Sequence, residues 1–282
     1  HSWEAAQARV PQSKALDDPQ ISMMFSQVPE GNPTKALDEP NSSLYRLQQM
    51  IPFPGKRSLR AAVAQKGADQ ALALYQAKER ELIANVKVAY YDLYLAEKAI
   101  QINDENVQLA RYFVKVAETR YATGQASQPD VLKAQVELSR LLNEEMTLQQ
   151  ELETARARLN VLLNRSPQAA LEIPRDLEMQ PLTETLEHLQ ELAIQTRPEL
   201  HAVTFFIEQS QASLLLAKKN YLPDFMAMVE RMPGQKGSGS WDVMVTVNIP
   251  LFFRDKYDYA VQEAVASIQA SRASYESMRN QG

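Results

Sequence analysis

From Leu82 onward, small or apolar residues recur at strictly alternating steps of four and three: Val86, Ala89, Leu93, Ala96, Ile100, Asn103, Val107, Ala110, Val114, Ala117 and Tyr121, with Asn103 the one amide. A period sustained over this length is a heptad seam, a stripe that a second helix must cover. The same alternation resumes at Val131, Ala134, Leu138, Leu141, Glu145, Leu148, Leu152, Ala155, Leu159 and Leu162, with Glu145 its only charged member. Two seams of equal period predict an antiparallel helical hairpin over residues 57–163. At about 1.5 Å per residue its first arm reaches on the order of 100 Å and its return arm roughly half of that.

The bend reads Tyr121-Ala-Thr-Gly124-Gln-Ala-Ser127-Gln-Pro-Asp130. Gly124 can take the left-handed conformation that ends a helix without a Cβ clash, and Ser127 followed three residues on by Asp130 is a capping box for the next helix. Pro129 falls in the first turn, where a missing N–H leaves nothing unpaired. On chemistry alone these residues are caps.

Around the hairpin the chain alternates short strands with helices. Residues 3–16 read as the tail of a helix ending near Val10-Pro11. A strand pair is predicted at 19–28 and 43–51, the latter with Tyr45, Leu47, Gln49 and Ile51 on one face, separated by a Pro- and Gly-bearing polar loop over 29–40. The second strand closes at Ile51-Pro-Phe-Pro-Gly-Lys56. Residues 164–195 form an irregular connector with a short helix from about 183. The next helix starts at Thr196-Arg-Pro-Glu199, which repeats the spacing of Ser127-Gln-Pro-Asp130, and runs to about 220. A second strand pair follows at 222–232 and 241–249, where Trp241, Val243, Val245, Val247 and Ile249 alternate with Asp242, Met244, Thr246 and Asn248. A helix from about 256 to 280 ends the chain. Residues 1–163 and 196–282 thus read as two structural repeats, the second truncated in the first turns of its long helix. The expectation is of a longer natural protein, entered here mid-helix. The opening His1-Ser-Trp-Glu lacks the features of a signal peptide, which predicts a mature form or a fragment.

Composition excludes several functions. The 282 residues carry a net charge of −5 and no Lys/Arg stripe, which argues against nucleic acid as a partner. There is no cysteine, hence no disulfide, thiolate metal site or cysteine nucleophile. No run of about eighteen apolar residues predicts a transmembrane helix. His188 and His201 have no metal-ligand spacing, and the pairs Glu79/Glu81 and Glu144/Glu145 read as solvated faces or pore lining. Met23, Met24, Met226, Met228, Met232 and Met244 lie in the strands; thioether clusters can hold soft Cu(I), but unbranched apolar filler is the reading preferred here. No catalytic, cofactor-binding or metal residue is predicted, and the chain is not read as an enzyme.

Strands with one apolar and one polar face cannot stand as isolated pairs, so they must complete a larger sheet. Closing that sheet into a barrel in lipid satisfies every backbone group and uses the alternation. The Ile51-Pro-Phe-Pro-Gly-Lys-Arg57 junction, the Arg120-Tyr-Ala-Thr-Gly124 bend followed by Ser127 and Asp130-Val-Leu-Lys-Ala-Gln135, and the two-copy layout resemble the TolC-type outer membrane efflux proteins. The junction is most similar to the heavy-metal, CzcC-like and CusC-like branch.

The resemblance implies a mainly α fold with a minor β part. Long helical hairpins would form an α-barrel in the periplasm, and four strands per protomer would enter a trimeric, twelve-stranded outer-membrane β-barrel. Trp241, Val243, Val245, Val247 and Ile249 would face lipid. Tyr121, Gly124, Gln125, Ser127 and Asp130 would meet a membrane-fusion adaptor that links the duct to an inner-membrane pump. The chain departs from many such proteins in the polar Gln125 after the glycine, and it lacks a second hairpin bend. The implied function is a passive exit duct for heavy-metal ions or other toxic compounds; the alternative is a soluble coiled-coil scaffold or adaptor.

Overall fold

The computed structural model describes residues 1–25, 43–171, 181–232 and 239–280. Its elements in chain order are α1 (Ser2–Lys14), β1 (Gln20–Phe25), β2 (Ser43–Ile51), α2 (Lys56–Ala122), α3 (Gln128–Leu162), α4 (Leu186–Thr196), α5 (Pro198–Lys219), β3 (Asp224–Met232), β4 (Ser240–Asn248), a π-helical turn (Phe253–Tyr257) and α6 (Asp258–Asn280). The architecture is helical with one antiparallel sheet in the order β1-β2-β3-β4. Two compact units form, one from residues 1–77 with 184–282 and one from 78–183.

In the second unit the hairpin follows its heptads. Ala89 and Leu93 bury against Leu159, with Val86, Leu152, Ala155 and Leu162 around them. Farther along, Val107, Ala110 and Leu141 form the next cluster, flanked by Leu138 and Leu142. Every seam position from Val86 to Leu162 is buried or half-buried except Tyr121, at the tip. Asn103, the amide in the seam, donates from Nδ2 to the Leu141 carbonyl at 3.2 Å, so a buried polar group is satisfied across the interface. Asn160, beside the seam, is fully buried and donates to the carbonyls of Pro167 and Ala169, which folds the segment after α3 back on the helix.

In the first unit small residues set the helix spacing. Ala202, Ser210 and Ala217 of α5 and Ala264 and Ser271 of α6 are buried. The two serines bond their hydroxyls to carbonyls one turn back, so each is buried without an orphan donor. Side chains this small let helix axes approach closely. On α2, Gly67 has Gln209 Nε2 only 2.9 Å from where a Cβ would stand, and Lys66 pairs with Glu208 at 2.7 Å.

Several boundaries differ from the sequence reading: β3 starts at Asp224, two residues later than expected, the connector helix starts at Leu186 and the last helix at Asp258. α1 runs through Pro11 to Lys14, because a proline in the penultimate turn removes a single ladder bond. The helix expected to start with a Thr196 cap starts at Pro198 with Arg197 as its N-cap and no side-chain cap bond. Thr196 is instead the last residue of α4, its hydroxyl donating to Leu192. β4 ends at Asn248, one residue before Ile249. Residues 26–28 of the expected first strand lie outside the described residues.

Candidate functional site

The sheet's register sorts its residues into two faces, because successive side chains alternate. On one face Ile21 and Met23 stand opposite Leu47 and Tyr45. Leu47 stands opposite Val229, Gln49 opposite Ala227 and Ile51 opposite Phe225. Those three β3 residues in turn face Val243, Val245 and Val247. Apart from Ser43, Gln49, Arg231 and the Tyr45 hydroxyl this face is hydrocarbon and aromatic ring, and Val243 and Val245 are 76% and 65% exposed. The other face carries a polar row, Ser22, Arg46, Glu230 and Asp242, in which Arg46 and Glu230 form an ion pair. Next to it run Gln20, Gln48, Met228 and Met244, with Gln48 donating to Gln20.

Trp241, Val243, Val245 and Val247, four of the five residues expected to face lipid, lie on this face of β4 and share it with three further strands, while Ile249 follows the end of β4 and is exposed. Of the methionines, Met23 stands on the apolar face and Met24, Met226, Met228, Met232 and Met244 on the polar one, as the same pairings show. Strands of nine residues are the length that crosses a bilayer at a tilt. β1 and β4 have one free edge each among the described residues.

A built joint couples this sheet to α2. Asp224, the first residue of β3, accepts from the Phe53 N–H and from the Lys56 ammonium, both at 2.8 Å, and Lys56 also donates to the Leu222 carbonyl. Lys56 is 3% exposed. Phe53 stacks on Phe225, with Lys219 over its ring, and Gly55 takes φ +94° so that the chain can turn from strand into helix. The segment after β4, which leads from strand into helix as this one does, is built otherwise. Lys256 is exposed, and α6 is held at its start by the Tyr221 hydroxyl donating to Asp258. Nothing in the sequence singled out Lys56 with Asp224; the only signal was an Asp opening a strand and a Lys opening a helix.

At the far end of the hairpin, Gly124 lies at φ +68°. Its N–H donates to the Tyr121 carbonyl and the Gln125 N–H to the Arg120 carbonyl, the two bonds of a Schellman ending. Asp130 then accepts from the Ser127 N–H at 3.1 Å and the Ser127 hydroxyl at 2.6 Å, closing the expected box. These bonds hold the Asp130 carboxyl below its ordinary range, the hydroxyl contributing most. Tyr121, Gly124, Gln125, Ser127 and Asp130 are all exposed, and no atom lies within 4 Å of a Cβ built on Gly124. Among the described residues no cluster of His, Cys, Asp and Glu fits a metal ion, and no helix is long and apolar enough to cross a membrane.

The model of the outer membrane efflux proteins matches residues 1–165. The chain belongs to that family. Among its efflux relatives, the cobalt-zinc-cadmium resistance protein CzcC of Cupriavidus metallidurans is 25% identical over 251 residues, which cover 86% of this chain and 60% of that protein. The protein CyaE of Bordetella pertussis is 25% identical over 233 residues, 78% of this chain and 48% of its own length. The chain thus spans about half to three fifths of the curated relatives it matches. In fold it is similar to the outer membrane protein VceC of Vibrio cholerae, with a TM-score of 0.78 at 18% identity, covering 99% of this chain and 70% of that one. It is also similar to CusC, with a TM-score of 0.80 at 17% identity over 99% and 68%.

Proposed function

We propose that this efflux-family chain contributes to the exit duct of a tripartite export system in the outer membrane. The observation that carries the reading is the sheet: one face almost wholly apolar, the other polar, and both edges open. A soluble protein would bury such an apolar face, whereas a membrane barrel turns it to lipid and closes the edges with strands of other protomers. Three protomers, each lending β1 to β4, complete the ring. Transport is passive, the polar face offering a wet path while the inner-membrane partner supplies the energy. Residues 1–163 and 196–282 serve as two repeats of one plan, and the exposed tip from Tyr121 to Asp130 is the surface for a periplasmic adaptor, which joins the duct to an inner-membrane pump. The likeness to a cobalt-zinc-cadmium resistance protein favours metal ions as cargo.

The test is reconstitution of the protein in a membrane. It should fractionate with the outer membrane, require detergent for extraction and give unitary conductance in a planar bilayer. A protein that stays in the aqueous fraction and leaves the bilayer silent is a coiled-coil scaffold, and the duct reading falls.

A further inference from the structure

Within the apolar face one row departs from hydrocarbon. Tyr45 of β2 stands opposite Arg231 of β3, and Arg231 opposite Trp241 of β4. The Arg231 guanidinium carbon lies 5.3 Å from the Trp241 ring centroid. Ile21, Arg46, Leu47 and Val229 complete a shallow depression of about 720 Å³ around this row. The strands show no Asp or Glu on that face among the described residues. The contrast is with Arg46 on the opposite face, which has Glu230. Among the described residues Arg231 therefore presents a cation with no carboxylate on its face, over the Trp241 ring and paired in register with Tyr45.

Position narrows what can neutralise it. The row lies at the strand ends that lead into residues 26–42 and 233–238, the ends away from α2 and α5. On the duct reading, which this inference presupposes, that end of the barrel wall meets the headgroup layer. An unpaired arginine is costly at the bilayer midplane and tolerated near the interface, where Trp and Tyr also concentrate. A guanidinium binds phosphate through two parallel N–H···O bonds, and it can stack on an aromatic face such as that of Trp241 while doing so.

We propose that Arg231, with Tyr45 and Trp241, forms a binding site for the phosphate headgroup of an anionic lipid on the outer wall of the barrel, the lipid's acyl chains lying on Ile21, Leu47 and Val229.

Trp241 reports on its own site once every other tryptophan, Trp3 included, is replaced by phenylalanine. The protein in that background is reconstituted into ordinary phosphatidylcholine with increasing dibrominated phosphatidic acid and, in a converse series, into dibrominated phosphatidylcholine with increasing ordinary phosphatidic acid, and Trp241 quenching in the two series gives the relative affinity of the two lipids. Phosphatidic acid should be preferred roughly fivefold, as one interfacial cation gives. Arg231→Gln should bring the ratio to about one, Arg231→Lys should keep part of it, and excess inorganic phosphate should leave it unchanged. Equal quenching by the two lipids, or a preference that survives Arg231→Gln, overturns the site while leaving the duct standing. A preference erased by inorganic phosphate assigns Arg231 to a soluble anion and overturns the lipid. Quenching by neither lipid overturns the site and the membrane barrel together.

Discussion

Lys56 and Asp224, 168 residues apart in sequence, close the joint between helix and sheet through a 2.8 Å ion pair, with the lysine almost wholly buried and the aspartate about a quarter exposed. The aspartate also fixes the Phe53 N–H, so one carboxylate orients both the last turn of the chain before α2 and the first residue of β3. Lys56→Met leaves that carboxylate without its cation. The loss is expected at about 2–3 kcal/mol, below the value for a fully buried pair because water reaches Asp224. Adding Asp224→Leu should recover part of it, with the Phe53 N–H still unpaired. Thermal unfolding of the two single variants and the double variant measures the coupling; strictly additive losses would show that the pair acts as two separate contacts.

The open edges of β1 and β4 predict assembly. Four strands leave two rows of unpaired backbone groups that only further strands can satisfy in lipid. The complete protein in detergent should scatter light as a trimer. A stable folded monomer of the complete protein contradicts the barrel.

Much of this was legible because the features are periodic. The seam from Val86 to Leu162 and the alternation from Trp241 to Val247 are each written in consecutive residues, and a repeated pattern survives local exceptions such as Asn103. Contacts that join distant residues left no such trace. Asn160 looks like a polar residue beside a seam until the carbonyls of Pro167 and Ala169 are seen to fold over it. Arg231 shares its parity with Ala227 and Val229, but its significance needs the neighbours Tyr45 and Trp241, which only the register supplies. Thr196 misled for a different reason: its spacing to Glu199 copies that of Ser127 to Asp130, yet α4 continues through it and leaves Arg197 alone between the helices.

Gly124 sits at positive φ with open space around it, so a substitution there acts through the backbone and not through a clash. Gly124→Val should strain the turn by roughly 1–3 kcal/mol and distort the tip while the trimer still assembles. Export measured as resistance to the toxicant should fall with the amount of trimer unchanged. Undiminished resistance would mean that the tip is only a turn.

Asp130 gives the tip a defined pH range. Its carboxyl is held below the ordinary value of 3.8 by the Ser127 hydroxyl and N–H, so its contribution is complete above that value. It is lost as pH falls through the lower, folded-state pKa, which leaves the cap intact in mildly acidic surroundings. A carbon NMR titration of the Asp130 carboxyl should find a midpoint below 3.8, and Ser127→Ala should raise it. A midpoint at or above 3.8 would show that the box is open in solution.

β4 permits the sharpest comparison, because adjacent residues make opposite demands. Val245 stands opposite Ala227 in the middle of the apolar face, and Thr246 stands opposite Met226 on the polar face. If the apolar face meets lipid, Val245→Arg places a guanidinium near the bilayer midplane at a cost of about 2–4 kcal/mol, whereas Thr246→Arg extends into water and should be close to neutral. A soluble sheet covered by another protein would also reject Val245→Arg, so stability alone does not separate the two cases. A fluorescent reporter carried on Val245→Cys and, separately, on Thr246→Cys does, when the reconstituted protein is exposed to a quencher confined to the acyl chains. Position 245 should be quenched and position 246 should not. Equal quenching at both, or none at either, would remove the sheet from the membrane and with it the duct.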